Sequence, residues 1–231
     1  VVSACRQVLL KLTQAGASVV DIEIPDLEAL RLAHLVTIVS ENATAMEHVY
    51  PDHRTDFGSD TRANLAIGRH LTSRDYLKAA RIRSRGLANF GAAFEKVDVI
   101  ATPTTAILPP RLPRNRLLSG SSDLKSLSQI MRYAFPANLL GYPAVSIPAG
   151  FVTAKSRQFW HTVEEKDEDG NVYSQVPVGL QVMAPHWQEA RLLKVARTVE
   201  DVVAIPKPRV YLSAFEHHNP VEAGHTEPLN D

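Results

Sequence analysis

Apolar positions along this chain recur with two different periods, and each change of period marks a predicted element. In the first segment Cys5, Val8, Leu9 and Leu12 repeat at helical spacing, and Gly16 follows where such a helix ends. The next segment, ASVVDIEIP, alternates apolar and charged residues, which predicts a strand with one exposed face. On these grounds we predict helices at 3–15, 26–49, 61–70, from 73 onward, at 123–140 and at 187–203, and further strands at 97–102, 144–150 and 177–183.

These last three strands are apolar on both faces, as strands are when helices cover both sides of a sheet. Because helices and strands alternate along the chain, we predict an α/β fold in which a mixed sheet is layered with helices. The strands at 144–150 and 177–183 should be antiparallel neighbours across the charged segment 153–175. We assign residues 1–204 to one domain and residues 205–231 to a polar C-terminal tail.

Two residues conflict with the regular helices in which they lie. Pro136 falls inside 123–140, so we predict a kink or a restart of the helix there, with Gly141 ending the element. Arg83 falls in the apolar face of the long helix that begins at Ser73. Because an unpaired buried charge is very costly, we predict that Arg83 is partly buried against a carboxylate. That apolar face is predicted to consist of Tyr76, Ala80, Leu87, Phe90 and Phe94.

Charge and cysteine content restrict the class of function. The 25 basic and 25 acidic residues cancel, so no net field draws the chain to nucleic acid, and we expect no nucleic-acid partner. The single cysteine, Cys5, excludes an internal disulfide and fits a reducing, intracellular compartment. No apolar run in the sequence approaches the roughly 20 residues that a membrane-spanning helix needs.

The residue types that carry chemistry do not form a self-contained catalytic set. No G-x-S-x-G motif occurs, the SGSSD segment is interpreted as a linker before a helix cap, and Ser146 is predicted to be a buried packing residue. The histidines do not combine with carboxylates at a metal-ligand spacing, and no Gly-rich phosphate loop is present, so we expect neither a metal nor a cofactor. The chain starts inside an amphipathic pattern, and we expect it to be a piece of a longer polypeptide.

Three motifs in a fixed order are more specific. They are DVIATPTT at 98–105, SQIMRYAFPANLLGYPAVSIPAGF at 128–151 and VPVGLQVMAPHWQEARLLKVARTVE at 176–200. In order and spacing they resemble the C-terminal half of enzymes of the amidase signature family. Within that family, IMRYAFPANLLG and the later IPKPRVYLSAF are most similar to fatty acid amide hydrolases of the plant type.

The resemblance implies hydrolysis of amides, with fatty acid amides such as N-acylethanolamines as substrates. In this family a lysine and a second serine activate a nucleophilic serine, and all three lie in the first half, around a Gly/Ser-rich loop whose motifs this sequence lacks. We therefore expect no catalytic residue in the chain, and no activity from the chain alone. The loop Thr102–Thr105 follows a strand, where α/β sheets often bind ligands. By resemblance, the helix at 123–140 borders the acyl pocket, with substrate-binding residues Leu127, Ser128, Met131 and Phe135.

Two other functions stay open. One is the amidotransferase subunit of the same family, which releases ammonia from glutamine for transfer-RNA amidation; a buried Arg or Asp near 127–135 would favour it. The other is a truncated product that acts as a binding or regulatory module without catalysis. The expected ligand is a small-molecule amide, and the sequence leaves a homodimer and a peripheral membrane association open.

Overall fold

The computed structural model describes residues 1–110, 123–153 and 175–203. The predicted tail at 205–231 and most of the charged segment at 153–175 lie outside the described residues. The described helices are α1 (Val2–Gln14), α2 (Leu27–Ala45), α3 (Tyr50–His53), α4 (Ser59–His70), α5 (Ser73–Phe94), α6 (Leu124–Ile130), α7 (Phe135–Leu140) and α8 (Glu189–Val203). The described strands are β1 (Ile100–Pro103), β2 (Ala144–Thr153) and β3 (Gln175–Met183).

The three strands form one sheet in the order β1-β3-β2. The predicted antiparallel pairing of β2 with β3 is confirmed, with Ile147 opposite Leu180 and an irregularity between Pro148 and Gly150. The sequence predicts a mixed sheet, but both pairings within the described residues are antiparallel. β1 and β2 therefore run in the same direction, and β3 keeps them apart, so they form no parallel ladder.

The sheet contributes to two apolar cores, one on each face. On the first face β3 packs against α1 and α8, which buries Val8, Leu180 and Val199. On the second face only one end of the sheet is deeply buried, where Ile100 and Met183 join α2, α5 and α7. Successive strand residues point to opposite faces. The residues of β3 that alternate with Leu180 therefore point to the second face, and those farther from Met183 lie outside the core.

The predicted helix at 123–140 is interrupted, and the predicted restart at Pro136 is confirmed. Pro136 lies in the first turn of α7, where its missing N–H costs no helical hydrogen bond. Gly141 ends α7 in the left-handed conformation, with φ of 75°. Five residues of α7 are buried, whereas none of α6 is. The two halves of the predicted helix are therefore held in place differently.

Arg83 is placed differently from the prediction. It is exposed, and its Nε donates a hydrogen bond to the carbonyl oxygen of Leu139, 2.7 Å away, rather than to a carboxylate. This carbonyl belongs to the last turn of α7, where backbone acceptors lack helical partners. The predicted apolar face of α5 is also wrong in its first half, because Tyr76 and Ala80 are exposed. The residues that α5 buries are Ala79, Gly86, Phe90 and Ala93.

The segment predicted as a strand at ASVVDIEIP forms no strand among the described residues. Its alternation persists as a burial pattern, since Ile22 and Ile24 pack against the core of α2 and α5 while the acidic residues beside them are exposed. Side chains of α5 fix the end of the segment: Asn89 Nδ2 donates to the carbonyl oxygen of Pro25 at 3.2 Å. The alternation of apolar and acidic residues therefore indicates which side of the segment is buried. It does not provide the neighbouring strand that a β-strand needs for pairing.

Candidate functional site

The second face of the sheet carries a row of polar side chains that crosses all three strands. Gln181 of β3 lies opposite Thr102 of β1 and Ser146 of β2 in the sheet register, so the three share one face. Gln181 is 7% exposed, and its Nε2 donates to Thr102 Oγ1 at 3.3 Å. Ser146 is exposed, so the prediction that it is a buried packing residue is wrong. An apolar strand pattern does not show which of its two faces the neighbouring helices leave open.

A close pair of hydroxyl groups lies beside this row. Thr104 Oγ1 and Ser146 Oγ are 2.6 Å apart across Gly179 of β3. A Cβ atom at position 179 would lie 2.6 Å from both oxygens, so the pair depends on a glycine there. Within the described ranges, neither hydroxyl is hydrogen-bonded to a histidine, lysine or carboxylate. The pair therefore offers hydrogen bonds, and no base that would activate a serine nucleophile is bonded to it among the described residues.

The four residues predicted to bind substrate lie along α6, the turn after it and the start of α7. Leu127 is 44% exposed, and Ser128 and Met131 are half-buried. Phe135 is 2% exposed and belongs to the core, where its ring centroid is 6.3 Å from that of His34. Backbone hydrogen bonds from Met131 N to Leu127 O and from Phe135 N to Met131 O keep the three apolar residues in line across the helix break. Among these residues, the solvent-accessible apolar surface therefore lies mainly in α6.

The polar row and the helical segment are joined by Gln181. Besides Thr102, its Nε2 reaches the carbonyl oxygen of Tyr133 at 2.7 Å, in the turn at 131–134 between α6 and α7. The structure thus brings together two regions that the sequence predicted separately: the segment Thr102–Thr105, predicted as a loop but with its first two residues in β1, and the helix at 123–140. Their meeting point is the candidate site.

The charges around this site lie at its margins. Asp123, at the start of α6, accepts hydrogen bonds from the hydroxyl and backbone N–H of Ser126, and these lower the pKa of its carboxyl below the ordinary 3.8. Burial lowers the pKa of His34 below 6.5, so the ring beside Phe135 is neutral at neutral pH. The basic residues between 124 and 135 are exposed. No charged side chain of that segment is buried.

The described residues also limit what else the site can do. They contain no group of three or more His, Cys, Asp or Glu side chains arranged to hold a metal ion. None of the helices among them is both long enough and apolar enough to cross a membrane. What they offer is apolar surface at Leu124 and Leu127, which are 56% and 44% exposed, and hydrogen-bonding groups on the sheet face. This combination suits a ligand with an apolar part and a polar part.

Gln181 is the residue that the sequence analysis missed. The signal was present, because a glutamine inside the otherwise apolar VPVGLQVM must find hydrogen-bond partners if the strand is buried. The pairing of Thr104 with Ser146 had no such signal. It depends on the register of two strands against a third, and that register cannot be derived from any one of their sequences.

Comparison with known proteins gives a consistent family. Residues 1–193 match the family model described as Amidase. The chain is 38% identical to a fatty acid amide hydrolase of Medicago truncatula over 207 residues, which is 89% of this chain and 31% of that protein. It is 32% identical to a fatty acid amide hydrolase of Arabidopsis thaliana, covering 88% of this chain and 30% of that protein. The chain thus spans about a third of the length of these relatives.

Solved structures share the fold at lower identity. One crystal structure of an amidase has a TM-score of 0.68 and 22% identity, covering 87% of this chain and 41% of the other. A bacterial aryl acylamidase of the amidase signature family has a TM-score of 0.64 and 17% identity, covering 87% of this chain and 39% of the other. These neighbours confirm the α/β fold class. The resemblance carried by the three motifs is confirmed as well, and the chain belongs to the amidase signature family.

Proposed function

We propose that this chain forms one wall of the substrate site of an amidase that hydrolyses fatty acid amides such as N-acylethanolamines. The observation that carries the proposal is the identity of 32–38% with plant fatty acid amide hydrolases over 87–92% of the chain. The amidotransferase subunits in the same family are 27–29% identical over a similar share of the chain.

The candidate site fits an acyl chain better than an amino acid. Leu124 and Leu127 expose apolar surface, and Met131, half-buried next to them, is a flexible side chain that adapts to irregular apolar ligands. Glutamine carries a charged ammonium and a charged carboxylate, and their recognition calls for a buried partner of opposite charge. The segment 124–135 buries no such group. The acyl chain is therefore the better occupant of this surface.

In the proposed mechanism this chain binds and orients while other residues of the enzyme perform the covalent step. A serine outside residues 1–231 attacks the amide carbonyl, and a lysine acting through a second serine takes the serine proton and passes it to the leaving amine. Leu127 and Met131 contact the acyl chain and keep water from it. The hydroxyl pair Thr104–Ser146, which is bonded to no base in the described part of the chain, serves as a hydrogen-bonding surface rather than as a nucleophile.

A chimera tests the substrate class. Residues 1–231 replace the matching third of the Medicago truncatula relative, and hydrolysis is measured with long-chain N-acylethanolamines, short-chain amides and glutamine. We expect long-chain amides to be preferred. Leu127→Asp should raise KM for long-chain amides about tenfold, because it removes apolar contact and forces a charge against the acyl chain. Leu193→Asp is the matched control, since Leu193 is 62% exposed on α8, which packs against the other face of the sheet.

The outcomes separate the alternatives. A chimera that hydrolyses glutamine but not long-chain amides would support the amidotransferase function, for which a relative from Koribacter versatilis is 27% identical over 84% of this chain. Turnover of any amide by residues 1–231 alone would show that the nucleophile lies within the chain and would contradict the mechanism. Equal effects of the variants at positions 127 and 193 would remove α6 from the substrate site.

A further inference from the structure

Gln181 differs from the other deeply buried residues of this structure. Among the described residues it is the one polar or charged residue that is fully buried, at 7% exposure, and its neighbours in β3 are apolar. A buried amide must be hydrogen-bonded, since an unsatisfied one costs more than an apolar replacement of the same shape. A glutamine at this position is therefore held there by the partners that its amide satisfies.

Those partners belong to two other elements. Gln181 Nε2 lies 2.7 Å from the carbonyl oxygen of Tyr133 and 3.3 Å from Thr102 Oγ1. The shorter contact fixes the orientation of the amide, because a carbonyl oxygen only accepts and the atom facing it must be the nitrogen. The side chain thus ties the central strand to the turn at 131–134.

Apolar packing fixes the chain on the C-terminal side of this turn but not on its N-terminal side. On its C-terminal side, α7 is fixed by Phe135 and the residues after it, which lie in the core with α2 and α5. On its N-terminal side, α6 has seven residues and buries none of them. A helix this short is marginal by itself, and none of its residues belongs to either apolar core of the described residues. The placement of Leu127 therefore depends on how firmly the turn is held.

We propose that Gln181 is a positioning residue for the acyl chain of the substrate. By holding the Tyr133 carbonyl, it sets the distance between the sheet face and the apolar side chains Leu127 and Met131, and that distance admits a long acyl chain. The inference rests on the proposed function. It adds that chain-length selectivity depends on a side chain of the central strand that does not itself contact the acyl chain.

The tether can be tested in residues 1–231 with Gln181→Met, which keeps the volume of the side chain and removes the donor. One trypsin site, Arg132, lies in the turn and another, Lys125, lies in α6, whereas Arg81 is a site in the packed helix α5. We expect cleavage after Arg132 to become at least about fivefold faster, because local opening of the turn loses a buried hydrogen bond. Cleavage after Arg81 should not change. Gln188→Met, at an exposed glutamine, is the control.

The same two variants in the chimera test the effect on substrate. Gln181→Met should raise KM for long-chain amides about fivefold or more and leave kcat, and KM for short-chain amides, within about twofold. A merely structural role would lower the active fraction for all substrates alike and leave both KM values unchanged.

The trypsin cleavage and the KM measurements test different parts of the inference. Unchanged cleavage at Arg132, or an equal rise at Arg81, overturns the tether. An intact tether with the same KM change for short and long substrates overturns the role in selectivity. A chimera with Gln181 in place that hydrolyses short-chain amides but no long-chain amide overturns the proposed function, and with it the acyl-chain part of this inference, whereas the cleavage result would still stand.

Discussion

Gly179→Ala perturbs the candidate site with the smallest possible side chain. The new Cβ would lie 2.6 Å from Thr104 Oγ1 and Ser146 Oγ and 3.2 Å from Thr104 Cβ, so the two hydroxyls must separate. Overpacking of this kind costs about 1–3 kcal/mol, and loss of the 2.6 Å hydrogen bond adds about 1 kcal/mol. Alanine restricts the unfolded chain more than glycine, which offsets about 0.4–1 kcal/mol. We expect a net loss of about 2 kcal/mol in the free energy of unfolding.

Thermal unfolding of residues 1–231 measures this effect, and about 2 kcal/mol corresponds to a fall in Tm of roughly 4–8 °C for a chain of this size. In a Thr104→Ala/Ser146→Ala background, the same change at Gly179 should cost clearly less, because the two oxygens nearest the new Cβ are gone and only the Cβ at position 104, 3.2 Å away, remains. Gly91→Ala is the control: a Cβ there meets nothing within 4 Å, and the helix should gain about 0.5–1 kcal/mol. If Gly179→Ala costs the same in both backgrounds, the close hydroxyl pair is not its cause.

Two further predictions concern the packing of α4 against α2 and the N-terminal cap of α5. Gly68→Ala would place a Cβ on the carbonyl oxygen of Val39 and force α2 and α4 apart. It should lower the free energy of unfolding by about 3 kcal/mol, measured by thermal unfolding, whereas Gly91→Ala in the same assay should raise it. Asp75 accepts a hydrogen bond from the Thr72 side chain, and this bond lowers the pKa of the Asp75 carboxyl below 3.8. The carboxylate therefore stabilises the fold above pH 3.8, and this stabilisation disappears as the pH falls through the lower pKa of the folded state. Asp75→Asn should flatten the acid limb of the stability–pH curve between about pH 2 and pH 5, whereas an unchanged limb would contradict the cap.

Elements with strong local signals could be predicted from the sequence alone. The helix restart at Pro136 and the end at Gly141 follow from backbone chemistry that no tertiary contact needs to supply. Thr72 caps α5 through a reciprocal pair of hydrogen bonds with Asp75, again a local device. The segment with ASVVDIEIP had an equally clear pattern, yet it forms no strand among the described residues, because a strand also needs a partner.

The buried face of α5 and the partner of Arg83 depend on tertiary contacts. The apolar face of α5 was predicted with Tyr76 and Ala80 in it, but the helix turns its first half so that Ala79 packs inward. Arg83 then lies near the end of α7 and satisfies the Leu139 carbonyl, a partner 56 residues away along the chain. A helical pattern constrains the direction of a face only to about one residue position, roughly 100° of rotation, and packing chooses within that range.

The second face of β3 shows how one strand serves both the fold and the site. Met183 is 2% exposed in the core, Gln181 is 7% exposed, Gly179 is half-buried and Pro177 is exposed. Burial along this line decreases from Met183 to Pro177, and the polar groups begin at Gln181, which is still buried. An apolar residue in place of Gln181 would pack equally well but leave the Tyr133 carbonyl without this donor. The choice of glutamine is therefore better explained by the turn it holds, and by the α6 surface beyond it, than by the stability of the sheet.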